Sequence, residues 1–126
     1  MSLAPGLTLT LEAPAAPRES AAAVASGALE VFSTPSLVAR FEAACLQVVQ
    51  PHLPGGSTTV GIEVAVKHLK ATPIGQPVRC TATVTAVAGR RITFAGELWD
   101  AEGRIGEGTH TRMVVDAAAF LARLSR

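Results

Sequence analysis

Residues 33–52 read STPSLVARFEAACLQVVQPH, and this stretch decides the fold. Thr34 followed by Pro35 has the form of an N-cap with proline at the first helical position. Leu37, Val38, Phe41, Ala44, Cys45, Val48 and Val49 recur at helical spacing until Pro51 and Pro54-Gly55-Gly56 end the pattern. About sixteen residues rising about 1.5 Å each make a helix of roughly 24 Å, long enough to cross a small sheet. At about 100° per residue, Val38, Cys45 and Val49 share a narrow arc, and Glu42 falls between Val49 and Leu46. The polar face is narrow, with Arg40, Gln47 and Gln50 as its main members. A helix of this kind is expected to be buried over most of its circumference, Glu42 included. A buried carboxylate is costly unless something pairs with it, so Glu42 needs a partner from elsewhere in the chain.

Four strands are predicted after the helix. Thr58 to Leu69 alternates, with Val60, Ile62, Val64, Val66 and His68 on one face. Val78 to Val87 sets Val78, Cys80, Ala82 and Val84 against a threonine-rich face, and Gly89-Arg90 turns the chain into Ile92 to Trp99. A second turn at Asp100 to Gly103 leads into Arg104 to Val115, where Gly106 and Gly108 mark bulges or close approaches. Asp116 then caps a short C-terminal helix from which Phe120, Leu121 and Leu124 are expected to pack back. Upstream, Gly6 to Ala13 alternates as a first strand. Residues 14–25 are a Pro/Ala/Ser connection with room for a helical turn, and residues 28–32 approach the helix in extended form. One strand, a helix apolar nearly all round and an antiparallel meander predict an α+β domain whose twisted sheet curls about the helix.

The 126 residues and 12.9 kDa fit one domain over residues 1–126, with no repeat or linker. A net charge of +1 and a pI near 7.9 argue against a nucleic-acid partner. Four Phe, one Trp and no Tyr leave little surface for stacking bases. Cys45 and Cys80 lack metal-ligand spacing and sit in apolar patterns, so they read as small buried hydrophobes in a reducing cytoplasm. No metal and no cofactor is expected. The N-terminus lacks a basic segment followed by a long apolar core, and no apolar run approaches a membrane span.

Two polar residues break the apolar pattern. His68 takes the next slot on the face bearing Val60 to Val66, and Glu42 lies on the helix that packs against that strand. Each alone has a plain reading: a histidine where a strand reaches solvent, and a carboxylate satisfied by backbone amides. Together they make chemical sense as a pair, because a carboxylate can orient an imidazole and stabilise its protonated form. Thr34 adds a hydroxyl at the helix start, where free N–H groups and the helix dipole favour negative charge, although capping alone explains a threonine there. Gly61 permits a close backbone approach, or marks a bulge.

The segments FSTPSLVARFEAAC, TVGIEVAVKHLKATPIG and VAGRRITFAGELWDAEGRIGEGTHTRMVVDAAAF together resemble the fluoroacetyl-CoA thioesterase-like family of hotdog-fold proteins over roughly Ala28 to Phe120. The ordered set carries the resemblance: a threonine, a glutamate eight residues on, a histidine twenty-six further, then a T-P-x-G turn. It implies an α+β hotdog fold, a long central helix wrapped by a curved antiparallel sheet. It also implies a catalytic constellation of Thr34, Glu42 and His68, with Gly61 positioning the reacting carbonyl or water. A homodimer with active sites at the subunit interface follows from the same resemblance, which leaves open whether dimers pair further. The stretch Gly106 to His110 resembles a structural signature on the last strand, and His110 ranks below His68 as a catalyst. Members specialised for fluoroacetyl-CoA carry a longer, aromatic-containing lid before the helix. The matching residues 18–27 here are Ala-rich with no phenylalanine, a departure that argues against fluoroacetyl specificity while the resemblance still implies thioester hydrolysis.

The expected activity is hydrolysis of a small or medium acyl-CoA, with Lys67, Lys70, Arg90 and Arg91 as candidate contacts to the coenzyme's phosphates. The rival from another class is a non-catalytic acyl-CoA or acyl-carrier binding module. A dehydratase or hydratase on the same fold is weaker, because the Asp/His arrangement that chemistry uses is absent from the pattern.

Overall fold

A computed structural model of the chain describes residues 3–125. In chain order it forms β1 (Thr8–Pro14), α1 (Thr34–Val49), β2 (Ser57–His68), β3 (Pro77–Ala88), β4 (Arg91–Asp100), β5 (Gly103–Asp116) and α2 (Ala117–Leu124), with 3-10 turns at Pro17–Glu19 and Gln50–His52. The strands make one antiparallel sheet in the order β1-β3-β4-β5-β2. The sheet curls about α1, which is the hotdog arrangement the resemblance implies.

Why the helix seats there is visible in its spacing. Leu37, Phe41, Ala44, Cys45, Val48 and Val49 are all buried, and they meet the inward residues Val78, Cys80, Ala82, Val84, Ile92, Phe94 and Leu98 of β3 and β4. Each large side chain buried here contributes about 1.5–3 kcal/mol. Three sheet glycines let α1 sit close. A Cβ on Gly96 would collide with the Phe41 ring, and one on Gly106 or Gly108 would press on Leu37 or on the β2 backbone. Cys45 and Cys80 are free and buried, and burial raises both thiol pKa values, that of Cys80 to about 11.

Arg40 orders the Pro/Ala/Ser connection. Its guanidinium donates to both Glu19 carboxylate oxygens at 2.7 and 2.8 Å and to the Ala13 and Pro14 carbonyls, and it lies 5.3 Å over the Phe32 ring. The bidentate bond from Arg40 holds the Glu19 carboxyl below its ordinary pKa.

Three expectations are corrected. The N-cap of α1 is Ser33, whose hydroxyl accepts from the Ser36 amide, so Thr34 is the first residue inside the helix. The β2 face does not run unbroken from Val60 to His68, because the register shifts between Gly61 and Glu63. This bulge at Ile62 turns Gly61 towards the helix, the side that Val64 (paired with His110) also faces. Gly61 and His68, seven residues apart, would occupy opposite faces of a regular strand; the bulge brings them to the same one. Finally, α2 packs back only in part: Phe120 is half-buried, while Leu121 and Leu124 are exposed.

Candidate functional site

Thr34 and His68 meet. Thr34 Oγ1 lies 2.7 Å from His68 Nδ1, linking the first turn of α1 to the last residue of β2. Ser33 carries the capping duty, so the Thr34 hydroxyl is not consumed by the helix backbone. Exchanging the two roles makes a prediction. Ser33→Ala should lower stability by about 1 kcal/mol, the usual worth of an N-cap. Thr34→Ala should leave the melting temperature nearly unchanged while lowering turnover, and thermal melts beside steady-state rates check both.

The pair opens into a cavity of about 350 Å³ lined by Ala21, Val31, Ser33, Leu69 and Ala71, with Ser26 and Lys70 at its border. Burial lowers the His68 pKa below 6.5, and the Lys70 backbone opposes that shift without reversing it. The ring is therefore neutral at pH 7 and able to accept a proton. Its Nε2 is buried and makes no hydrogen bond of good geometry among the described residues. The helix start offers less to an oxyanion than expected. Pro35 has no N–H, the Ser36 amide is capped, and the Leu37 amide bonds the Ser33 carbonyl, so only the Thr34 amide is left.

Glu42 stands elsewhere. Eight residues along α1 from Thr34, or about 12 Å, its Oε2 lies 3.8 Å from His110 Nε2 and 3.9 Å from Arg112 Nη1. Its side chain is 40 % exposed rather than buried. Within one chain it does not orient His68. Gly61 belongs to the Glu42 group, since a Cβ there would lie 2.9 Å from Glu42 Oε2 and 3.0 Å from His110 Cε1. The chain thus holds two half-sites: Thr34 with His68, and Glu42 with Gly61, His110 and Arg112.

The candidate cations separate as well. Lys70 borders the Thr34–His68 cavity but donates to Asp100 Oδ2 at 3.0 Å, a carboxylate with no exposed side-chain surface that Thr72 also bonds. Lys67 lies on the outer face of the sheet, in a groove with Ala65, Glu107 and Thr109. Arg90 and Arg91 are exposed at the β3–β4 turn. Arg91 pairs with Met113 and His68 with Gly106, so they are some seven residues, or about 24 Å, apart along β5.

The sequence ranks His110 below His68 and singles out no Arg112, yet both lie beside Glu42. His110 is buried, and a register shift between Leu98 and Trp99 lets Ile105, expected on the opposite face, be buried as well. The available signal was two polar residues at i and i+2 on the face that carries Gly106 and Gly108. Among the described residues no group of three or more His, Cys, Asp or Glu side chains is placed to hold a metal, and no helix is long and apolar enough to cross a membrane.

Residues 16–118 match the profile of the family described as fluoroacetyl-CoA-specific thioesterase (FlK). Over 95 residues, 75 % of this chain and 68 % of the relative, the sequence is 37 % identical to a fluoroacetyl-CoA thioesterase of Streptantibioticus cattleyicolor. The crystal structure of an FlK mutant in complex with fluoroacetate and CoA superposes with a TM-score of 0.89 at 31 % identity, covering 94 % of this chain and 99 % of that one. A Thermus thermophilus thioesterase superfamily member shares the fold, with a TM-score of 0.91 at 24 % identity over 99 % and 93 % of the two chains.

Proposed function

The chain belongs to the fluoroacetyl-CoA-specific thioesterase family and is a thioester hydrolase; from that premise we propose that it hydrolyses small acyl-CoA thioesters at a site completed by a second copy of itself. The observation that carries the chemistry is the 2.7 Å contact between a non-capping threonine hydroxyl and a neutral, half-buried imidazole. His68 accepts the Thr34 proton as the hydroxyl oxygen attacks the thioester carbonyl. Collapse of the tetrahedral intermediate breaks the C–S bond, and the departing thiolate takes the proton from His68. Water then cleaves the acyl-threonine ester, leaving free acid and CoA. The Thr34 amide is the local donor for the developing oxyanion.

The second copy is inferred from what one chain leaves uncovered. Strand β2 is a sheet edge in which every residue from Gly61 to Ala65 is exposed, with Ile62 at 48 % and Val64 at 39 %. A long apolar edge invites pairing with another strand. With the bulged Ile62 left out of the ladder, the midpoint between Gly61 and His68 is Ala65, at the end of that exposed run. Antiparallel pairing of two β2 strands about this point sets Gly61 and Glu42 of one protomer opposite the partner's His68 and Thr34. Val38 and Leu46, half-buried and flanking Glu42 on α1, belong to the same uncovered face. Glu42 then holds the water that cleaves the partner's acyl-threonine. In this dimer Arg90 and Arg91 stand at the Gly61 end of the sheet and meet the coenzyme's phosphates; Lys70 is neutralised by Asp100 and Lys67 faces away. The segment from Ala21 to Gly27 that borders the cavity is a run of turns without an aromatic side chain, which favours small acyl groups without a fluorine-specific lid. Two buried free thiols suit a reducing cytoplasm.

The test is thiol release across short, branched, aromatic and long-chain acyl-CoAs. Short acyl groups should turn over fastest. Binding of every acyl-CoA with no thiol released over hours would instead support a carrier module. Because burial holds the His68 pKa below 6.5, and the neutral ring is the active form, kcat/KM should fall on an acid limb centred below that value and level off as pH rises above it. An acid limb centred above 6.5 would contradict the assignment of His68 as base.

A further inference from the structure

The hydrolytic steps above leave unused a buried imidazole whose two nitrogens are both engaged. His110 Nδ1 lies 2.7 Å from the carbonyl oxygen of Glu63, and its Nε2 lies 3.1 Å from Arg112 Nη1. Both partners act in one direction only. A carbonyl accepts, so Nδ1 carries the proton; a guanidinium donates, so Nε2 presents its lone pair. His110 is thereby fixed as the neutral Nδ1–H tautomer. Burial, the largest influence, keeps the ring neutral, and Arg112 adds to it against the opposing pull of the Glu63 carbonyl and Glu42.

Each bond holds something that matters at the Glu42 half-site. The Glu63 carbonyl belongs to the β2 bulge, the irregularity that turns Gly61 towards Glu42. Arg112 is clamped on its far side by Thr59, with Nε donating to the hydroxyl at 2.7 Å and Nη2 to the carbonyl at 2.8 Å. With Thr59 on one side and His110 on the other, the guanidinium cannot swing, and Nη1 stays 3.9 Å from Glu42 Oε2. The ring itself is wedged between Phe41 and Phe94, with centroids at 5.8 and 6.0 Å. In this tautomer His110 has no proton to give Glu42, so the carboxylate faces Arg112 as its only donor in the group.

We propose that His110 is a positioning residue: by tying the β2 bulge to the Arg112 guanidinium, it sets the relative placement of Gly61, Arg112 and the Glu42 carboxylate that serves the partner's Thr34 and His68. The inference rests on the reading of Glu42 as part of the active site. It differs from a packing role in needing both nitrogens, since an apolar ring would fill the same space between the two phenylalanines.

Two variants separate these roles. His110→Phe keeps the ring between Phe41 and Phe94 but leaves Arg112 and the Glu63 carbonyl unpaired. His110→Gln offers an amide oxygen to Arg112. In folded dimers, His110→Phe should lower kcat by about 10- to 100-fold with KM changed by less than about 3-fold, the scale on which a misplaced group costs rate. His110→Gln should recover at least part of that loss. Long-range ¹⁵N NMR of the wild-type imidazoles should show His110 as the Nδ1–H tautomer, untitrated from pH 6 to 8. Wild-type kcat in a folded His110→Phe dimer, or an Nε2–H tautomer, would overturn the proposal. Should the wild-type protein release no thiol from any acyl-CoA, the thioesterase reading fails by that result, while the tautomer measurement still decides the His110 arrangement. The same measurement decides it if His110→Phe does not fold.

Discussion

Replacing His68 by alanine should lower kcat by about 10²- to 10⁴-fold, the usual contribution of a positioned general base, in a protein that still folds. The stability cost should be small. His68 ends a strand, is only partly buried, and its one side-chain hydrogen bond is to Thr34, whose hydroxyl can turn to solvent when the ring is removed. A small stability cost is what distinguishes alanine at His68 from alanine at His110, which sits in the core against two phenylalanines and bonds through both nitrogens. The measurement is steady-state thiol release with the best acyl-CoA, beside circular dichroism and a thermal melt. If His68 is the base for Thr34, the double variant with Thr34→Ala should be scarcely slower than either single one, because the two groups act as a unit. Unchanged turnover in a correctly folded His68→Ala protein would remove the residue from the mechanism.

The parts of the structure that were legible in the sequence are those in which periodicity and burial within one chain coincide. Leu37, Phe41, Cys45 and Val49 recur at helical spacing and are buried; Val78, Cys80, Ala82 and Val84 alternate and are buried. Alternation failed at β2 because it counts residues, and a bulge inserts one without changing residue types. Val60, Ile62 and Val64 read as a single face although the register shifts beneath them. Glu42 was misread for a different reason. Its neighbours on the helical wheel are apolar, yet that arc faces an uncovered surface rather than the chain's own core, and a wheel does not distinguish a core from an interface. Thr34 was seen correctly as lying at the helix start, but Ser33 beside it competes for the cap, and either hydroxyl satisfies the same pattern. His110 and Arg112 are each ordinary strand residues in isolation. Their importance lies in Thr59 and Glu63, which are distant in sequence and become neighbours only once β2 pairs with β5.

Mixing two inactive variants should restore activity. One protomer carries Thr34→Ala and His68→Ala, the other Glu42→Gln, and each homodimer should lose about 10²-fold or more. In a mixed dimer the intact Thr34 and His68 of the Glu42→Gln protomer face the intact Glu42 of the other, so one of the two sites is complete. Random exchange of equal amounts makes about half the dimers mixed, and with one working site each the specific activity should reach about a quarter of wild type. Heterodimers purified through two different tags should reach about half. The expectation follows from distances within one chain. Thr34 and Glu42 are about 12 Å apart along a rigid helix, and Glu42 Oε2 faces His110 and Arg112 rather than His68. A site built wholly within one chain would leave every protomer of the mixed dimer defective, and the mixture would show no more than the mean of its two parents. That result would return Glu42 to the role of a half-exposed surface carboxylate and would leave the β2 edge without its functional reason to pair.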